Sequence, residues 1–190
     1  MRMPSMLTAP VSSELAARLT TRQRLSVLLW LIAALAALFA PAWLGNAPRL
    51  VYNPTDSAPR GFYLVQPAEV QPGDWVLASL PAAARHLAAQ RQYLPAGIPV
   101  LKQVGAVGGE HVCVRDGKLW VNAHELVSVL AQDSQGRALD AWRGCRRLQP
   151  REVFLLSLAH PSSYDSRYFG PVDLPAVHGR VRPVWTWSAP

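Results

Sequence analysis

The chain is expected to fold as a mainly β body outside the cytoplasm, preceded by one N-terminal transmembrane helix and carrying a small inserted subdomain. Three observations point there. Residues Leu25 to Leu44 are uncharged and almost wholly apolar. After them, short runs rich in valine, leucine and aromatic residues alternate with breaks that contain glycine or proline. Asp116-Gly117 stands between two such runs, and this dipeptide suits a tight hairpin turn. At 190 residues, 50% hydrophobic and 16% charged, the chain can bury one real core.

The apolar stretch decides topology. As a helix it spans about 30 Å, the thickness of the hydrocarbon layer. Arg18, Arg22 and Arg24 precede it, so the positive-inside rule keeps residues 1–24 cytoplasmic. Pro41 would kink or end the helix, and Trp43 suits an interface. The competing reading is a cleavable signal peptide, whose apolar core is normally about 7–15 residues and ends at Ala-x-Ala. The core here is longer, and Ala40-Pro41-Ala42 has a poor middle residue. An uncleaved anchor over residues 25–44 is therefore the reading adopted. Either reading places residues 46–190 outside the cytoplasm. In an oxidising compartment Cys113 and Cys145 are expected to bridge, contributing roughly 3–4 kcal/mol in the chain-entropy model. Two unpaired buried thiols are the alternative, and two cysteines alone make a poor metal site.

Beyond the anchor, Gly45 to Tyr52 reads as a linker. Strands are predicted over 61–65 and 74–78, with a turn at Gln71-Pro72-Gly73-Asp74. Pro81 to Gln92 is alanine-rich and begins with proline, which suits a helix start. Residues 99–104 form the next strand. Residues 112–115 and 119–122 flank the Asp-Gly hairpin. Residues from about 108 to 150 form the inserted subdomain, and 123–150 read as irregular and polar. Two more strands are predicted, over 153–157 and 178–187. Alternation puts Trp185 and Trp187 on one face, either in the core or at a lipid interface. The core is the preferred place, because a domain of this size needs large apolar fillers.

The candidate chemistry rests on one lysine and one serine. Of 19 basic residues only Lys102 and Lys118 are lysines. Lys102 lies in the apolar run Val100-Leu101-Lys102-Gln103-Val104, where desolvation favours its neutral form, and a neutral lysine is a general base. Arginine has no such option. The alternative is a strand lysine with its head in solvent. Ser57 lies in Asn53-Pro54-Thr55-Asp56-Ser57-Ala58-Pro59-Arg60-Gly61. Pro59 favours an extended backbone at Ala58, and Gly61 permits close approach. The Ser57 amide and the Thr55 hydroxyl are candidate oxyanion donors. Taken alone, Ser57 also reads as an ordinary turn serine. The densest basic cluster, Arg143, Arg146, Arg147 and Arg151, is not a continuous stripe, which speaks against nucleic-acid binding.

Three segments carry a resemblance. Asn53 to Tyr63 resembles the serine box of conjugative-transfer signal peptidases, the TraF-type branch of the type I signal peptidase superfamily. Val100-Leu101-Lys102-Gln103-Val104-Gly105-Ala106-Val107-Gly108-Gly109-Glu110 resembles the lysine box, and Tyr164-Asp165-Ser166-Arg167-Tyr168-Phe169-Gly170 the C-terminal Asp-Ser-Arg box. The resemblance covers about residues 25–187 and implies a signal-peptidase-like β catalytic body. It implies a Ser57 nucleophile and a Lys102 base; no metal or cofactor is expected. It implies a bacterial inner-membrane protein with a periplasmic catalytic domain, working at the lipid bilayer. Its substrates would be pilin-type preproteins and its partners other proteins of a conjugation or type IV secretion apparatus. Ser57-Ala58 and Ala159-His160-Pro161 depart from the housekeeping enzymes' Ser-Met and Gly-Asp-Asn-Arg, which favours the conjugative branch. Asp165 either pairs with Arg167 in a supporting role or takes part directly. The acyl-enzyme is open to water or to the substrate's own amine, which gives a cyclic product. A membrane-anchored assembly factor that keeps the fold without the chemistry is the alternative.

Overall fold

The computed structural model describes residues 20–43 and 49–187, with side chains over 20–39 and 50–187. Most of the expected cytoplasmic segment (residues 1–19), Leu44 at the end of the expected anchor, and the side chains of Pro41 and Trp43 lie outside the described residues. The chain divides into two compact units, Met1–Ala47 and Pro48–Pro190.

The first unit holds helix α1, Thr21–Trp43. It begins four residues earlier than the apolar run, because Thr20 and Gln23 form a capping box. The Gln23 amide donates to Thr20 Oγ1 at 3.4 Å, and the Thr20 amide donates to Gln23 Oε1 at 2.9 Å. The span Thr21–Phe39 has mean hydropathy 1.5 and no buried residue, so the helix is long and apolar enough to cross a membrane.

The second unit is mainly β. Its elements are β1 Arg49–Asn53, β2 Gly61–Gln66, β3 Trp75–Ala78, α2 Ala82–Gln90, β4 Val100–Val107, β5 His111–Arg115, β6 Lys118–Val121, β7 His124–Ser128, β8 Cys145–Arg147, β9 Glu152–Leu156, α3 Ser166–Phe169, β10 Val172–Asp173 and β11 Val177–Thr186. Seven strands form one antiparallel sheet in the order β1-β2-β11-β3-β4-β9-β10. Strands β5 to β8 form a second sheet, β7-β6-β5-β8, inserted in the chain between the paired neighbours β4 and β9. The two sheets share a core in which Ala106, Phe154 and Leu156 meet Val112, Leu119 and Val121. Cys113 and Cys145 face each other across β5 and β8 and are joined as a disulfide.

Several elements differ from their expected form. The expected linker Gly45 to Tyr52 runs into β1, which starts at Arg49 and pairs with β2 from Arg49↔Val65 to Asn53↔Gly61. The pairing comes from β2, and three alternating residues beside Asn-Pro give too short a pattern to announce a strand. The segment 123–150 is not wholly irregular, since it contains β7 and β8. A two-residue turn at Asn122 and Ala123, with φ of 48° and 69°, folds β6 back onto β7. Alanine in a left-handed position is not a turn signal, so the hairpin was hidden.

The preferred place of Trp185 and Trp187 in the core is wrong. They are 69% and 53% exposed. The register of β11 on β2 shifts between Pro183 and Trp185, and Tyr63 and Val65 already fill the core beneath β2. The two tryptophans instead join Tyr52 and Phe62 in an exposed aromatic cluster on β1, β2 and the end of β11. Its centroid distances are 5.2 Å (Tyr52–Phe62), 5.9 Å (Tyr52–Trp187) and 6.4 Å (Trp185–Trp187).

Candidate active site

The loop between β1 and β2 carries Ser57, and Asn53 builds that loop. Asn53 is 7% exposed. Its Nδ2 donates to the carbonyls of Thr55, Ala58 and Pro59 at 2.9, 3.1 and 3.1 Å. Its Oδ1 accepts from the Thr55 amide at 3.2 Å and from Thr55 Oγ1 at 2.8 Å. Tyr63 Oη closes the far side by donating to the Pro59 carbonyl at 2.6 Å. Gly61 has φ 154°, and a Cβ there would collide with the Trp185 carbonyl, so only glycine lets β2 lie this close to β11. Thr55 Oγ1 also lies 3.1 Å from Ser57 Oγ. With its one proton on Asn53 Oδ1, the Thr55 hydroxyl offers Ser57 a lone pair. In this resting geometry it orients Ser57 and is not free to donate to an oxyanion. The Ser57 amide makes no hydrogen bond to any described residue and is free for that purpose.

Lys102 projects from β4 and is 3% exposed, so the reading with its head in solvent does not hold. Both Leu101 and Lys102 are buried, although neighbours on a strand face opposite ways, because this strand is covered on both faces. Lys102 Nζ donates to Ser157 Oγ at 2.9 Å and to Ser163 Oγ. Burial lowers its pKa most strongly; the Asp165 carboxylate opposes this, the Arg167 guanidinium adds to it, and the net result is about 8. Ser57 and Lys102 line one cleft of about 630 Å³. Ser57 Oγ is hydrogen-bonded to Thr55, and Lys102 Nζ to Ser157 and Ser163.

Asp165 and Arg167 form a fully buried pair, each 0% exposed. Asp165 caps the single turn α3 by accepting from the Arg167 amide at 3.1 Å. Its oxygens also accept from Arg167 Nε at 2.8 Å, Arg167 Nη2 at 2.9 Å and the Ser157 amide at 3.0 Å. Arg167 in turn donates to the Ser163 and Ser128 carbonyls at 3.0 and 2.9 Å. All three guanidinium nitrogens of Arg167 and both carboxylate oxygens of Asp165 are therefore engaged. The pair fixes the backbone at Ser157 and Ser163, the two hydroxyls that hold Lys102, and Asp165 bonds to Arg167 instead of to the lysine. Sequence reasoning missed Asn53, Ser157 and Ser163 as site residues. The available signals were Asn-Pro at the head of a loop, a serine ending an apolar strand, and a serine two residues before the Asp-Ser-Arg triplet.

The arrangement offers a half-buried hydroxyl, a free amide beside it and a desolvated amine, which suits acyl transfer. The chain is 35% identical over 147 residues to the conjugal transfer protein TraF of Agrobacterium fabrum, covering 72% of this chain and 82% of that one. It is 33% identical over 166 residues to a plasmid transfer protein TraF of Escherichia coli, covering 82% and 93%. A signal peptidase I structure from Enterococcus faecalis aligns with a TM-score of 0.38 and 22% identity, over 60% of this chain and 98% of that one. The family signal peptidase, peptidase S26, matches residues 22–187. With that match running from the start of α1 to the end of β11, the chain belongs to the S26 signal peptidase family.

Proposed function

We propose that this chain is a membrane-anchored serine endopeptidase in which Ser57 is the nucleophile and Lys102 the general base. The observation that carries the reading is a half-buried serine sharing one cleft with a buried lysine whose pKa is lowered to about 8. Neutral Lys102 takes the Ser57 proton as Oγ attacks the scissile carbonyl. The Ser57 amide donates to the developing oxyanion. As the C–N bond breaks, the Lys102 ammonium returns the proton to the leaving amine. The acyl-enzyme is then resolved by water, with Lys102 again accepting the proton, or by the substrate's own N-terminal amine, which closes a cyclic product. A non-enzymatic assembly factor would have no need of a desolvated amine beside a serine.

The similarity to TraF proteins of conjugal and plasmid transfer supports other transfer proteins as partners, and pilin-type preproteins are the substrates that the resemblance of the three boxes implies. Arg22 and Arg24 at the start of α1 support a cytoplasmic N-terminus and a periplasmic Pro48–Pro190 unit at the inner membrane. The exposed cluster of Tyr52, Phe62, Trp185 and Trp187 suits the lipid interface. The test is incubation of the membrane-inserted chain with a candidate prepilin, followed by intact-mass analysis. Hydrolysis adds the mass of one water across the two fragments; cyclisation leaves a trimmed pilin 18 Da lighter than its linear form. An unchanged prepilin under conditions where Ser57 is reactive would contradict this substrate class.

A further inference from the structure

The cleft has a part that the proposed chemistry does not use. Leu80, Ala88, Tyr93, Leu94 and Tyr164 line it. These residues belong to an apolar cluster under α2, separate from the one beneath the serine loop. Tyr93 and Tyr164 lie side by side with centroids 5.5 Å apart. The Tyr164 hydroxyl makes no hydrogen bond to any described residue, which leaves it available to a bound peptide. Ala88 adds only a methyl group to the lining.

The inserted segment reaches this wall from behind. The Tyr93 hydroxyl donates to the Asp133 carboxylate. Asp133, whose side chain is 5% exposed, also accepts from Arg137 Nε at 2.7 Å and from the Gln135 and Arg137 amides at 2.9 Å each. Arg91, just after α2, donates to the Ala138 carbonyl at 2.9 Å, and Arg137 Nη2 donates to the Arg91 carbonyl at 3.3 Å. A second route runs through Tyr168, which stacks on Tyr164 at 5.8 Å and accepts from the Leu130 amide at 3.2 Å. Both routes from loop 130–139 end on a tyrosine of the cleft wall. Burial pushes the Asp133 carboxyl up, but hydrogen bonds from Tyr93, Arg137 and Gln135 outweigh it and hold the group well below the usual carboxylate range. Asp133 is therefore ionised at every pH where the lysine can work.

We propose that this part of the cleft is a pocket for a large apolar side chain of the substrate, and that loop 130–139 sets its size by fixing Tyr93 through Asp133. Tyr93 determines specificity and Asp133 is a positioning residue. The inference rests on the peptidase reading. Its lining is apolar except for one free phenol, and the cleft exceeds what a single reacting residue fills.

The test uses the full chain in detergent with fluorogenic octapeptides that carry Ala, Leu or Phe at each position in turn. At one position Leu or Phe should exceed Ala in kcat/KM by roughly 10- to 200-fold. Tyr93→Phe and Asp133→Ala should each reduce that ratio several-fold, with the midpoint of the pH profile unmoved. Absence of any such position, or variants that scale every peptide alike, would overturn the pocket. Fluorescence polarisation of the same peptides on the Ser57→Ala chain separates the two claims. Selective binding without turnover by the unmutated chain would sink the peptidase reading and keep the pocket. Turnover without preference in rate or binding would do the reverse, and absence of both would sink both.

Discussion

Lys102 Nζ donates to Ser157 Oγ at 2.9 Å, and Ser157 is itself held by its amide on Asp165 Oδ2 at 3.0 Å. Ser163 supplies a second acceptor for the same amine. A neutral amine has two hydrogens and one lone pair. With both hydrogens placed on serine oxygens, the lone pair is what remains to accept a proton. The buried Asp165–Arg167 pair thus acts on Lys102 through two serines, and its two charges act on the amine in opposite directions, the carboxylate raising its pKa and the guanidinium lowering it. Burial is left as the dominant influence.

The first prediction concerns pH. Activity should rise as Lys102 loses its proton, with a midpoint near 8, and then level off. Stability should respond with a definite sign. The folded-state pKa lies below the unfolded value of 10.5, so between about 8 and 10.5 the unfolded chain binds more protons and stability rises with pH. The change amounts to about 3 kcal/mol over that window. Lys102→Met should lack this slope. Parallel urea-denaturation curves for both chains at pH 7, 9 and 10.5 check it, and a common slope would refute the assignment.

Asn53→Ala should loosen the serine loop. It removes a buried amide that serves three carbonyls, one backbone amide and one hydroxyl, so the cost is about 1–3 kcal/mol. Because Thr55 would then lose its orienting partner, kcat should fall more than KM rises. Urea titration and steady-state kinetics of the variant measure both effects.

The exposed aromatic cluster should bind lipid. The Pro48–Pro190 unit alone should float with liposomes of mixed zwitterionic and anionic phospholipid, and Trp185→Ala with Trp187→Ala should abolish flotation while leaving the melting curve nearly unchanged. A unit that stays at the bottom of the gradient would remove the interfacial role.

Cys113 and Cys145 tie β5 to β8, at a sequence separation of 32. Cys113→Ser with Cys145→Ser should destabilise the inserted sheet by roughly 3–4 kcal/mol. Hydrogen exchange should quicken over residues 111–147 first and leave the amides of β4 and β9 protected. Uniform loss of protection would show that the two sheets unfold together.

Local chemistry made much of this molecule legible. Asp116 and Gly117 take the positive φ values of 52° and 69° that an Asp-Gly hairpin requires, and the alanine-rich run does form α2. Lys102 stood out because the chain otherwise uses arginine, and the structure brings it to one cleft with Ser57. What stayed hidden depends on tertiary pairing. Nothing local says that β1 would find β2, or that Ala123 would turn left-handed. The Pro183 bulge that throws Trp185 outward is fixed by the partner strand. Ser157 and Ser163 matter only because β9 and the loop before α3 converge on Lys102.

Activation of Ser57 by Lys102 is measured by acylation of Ser57. The full chain in detergent is treated with an acylating serine-protease inhibitor, and the adduct is followed by intact mass and peptide mapping across pH 6 to 10. One adduct is expected, on Ser57, forming at a rate that rises through about pH 8. Lys102→Arg should slow it by at least about 10³-fold, since arginine keeps its proton. An adduct that forms equally fast in Lys102→Arg, or none on Ser57 in the unmutated chain, would mean that Lys102 does not activate Ser57.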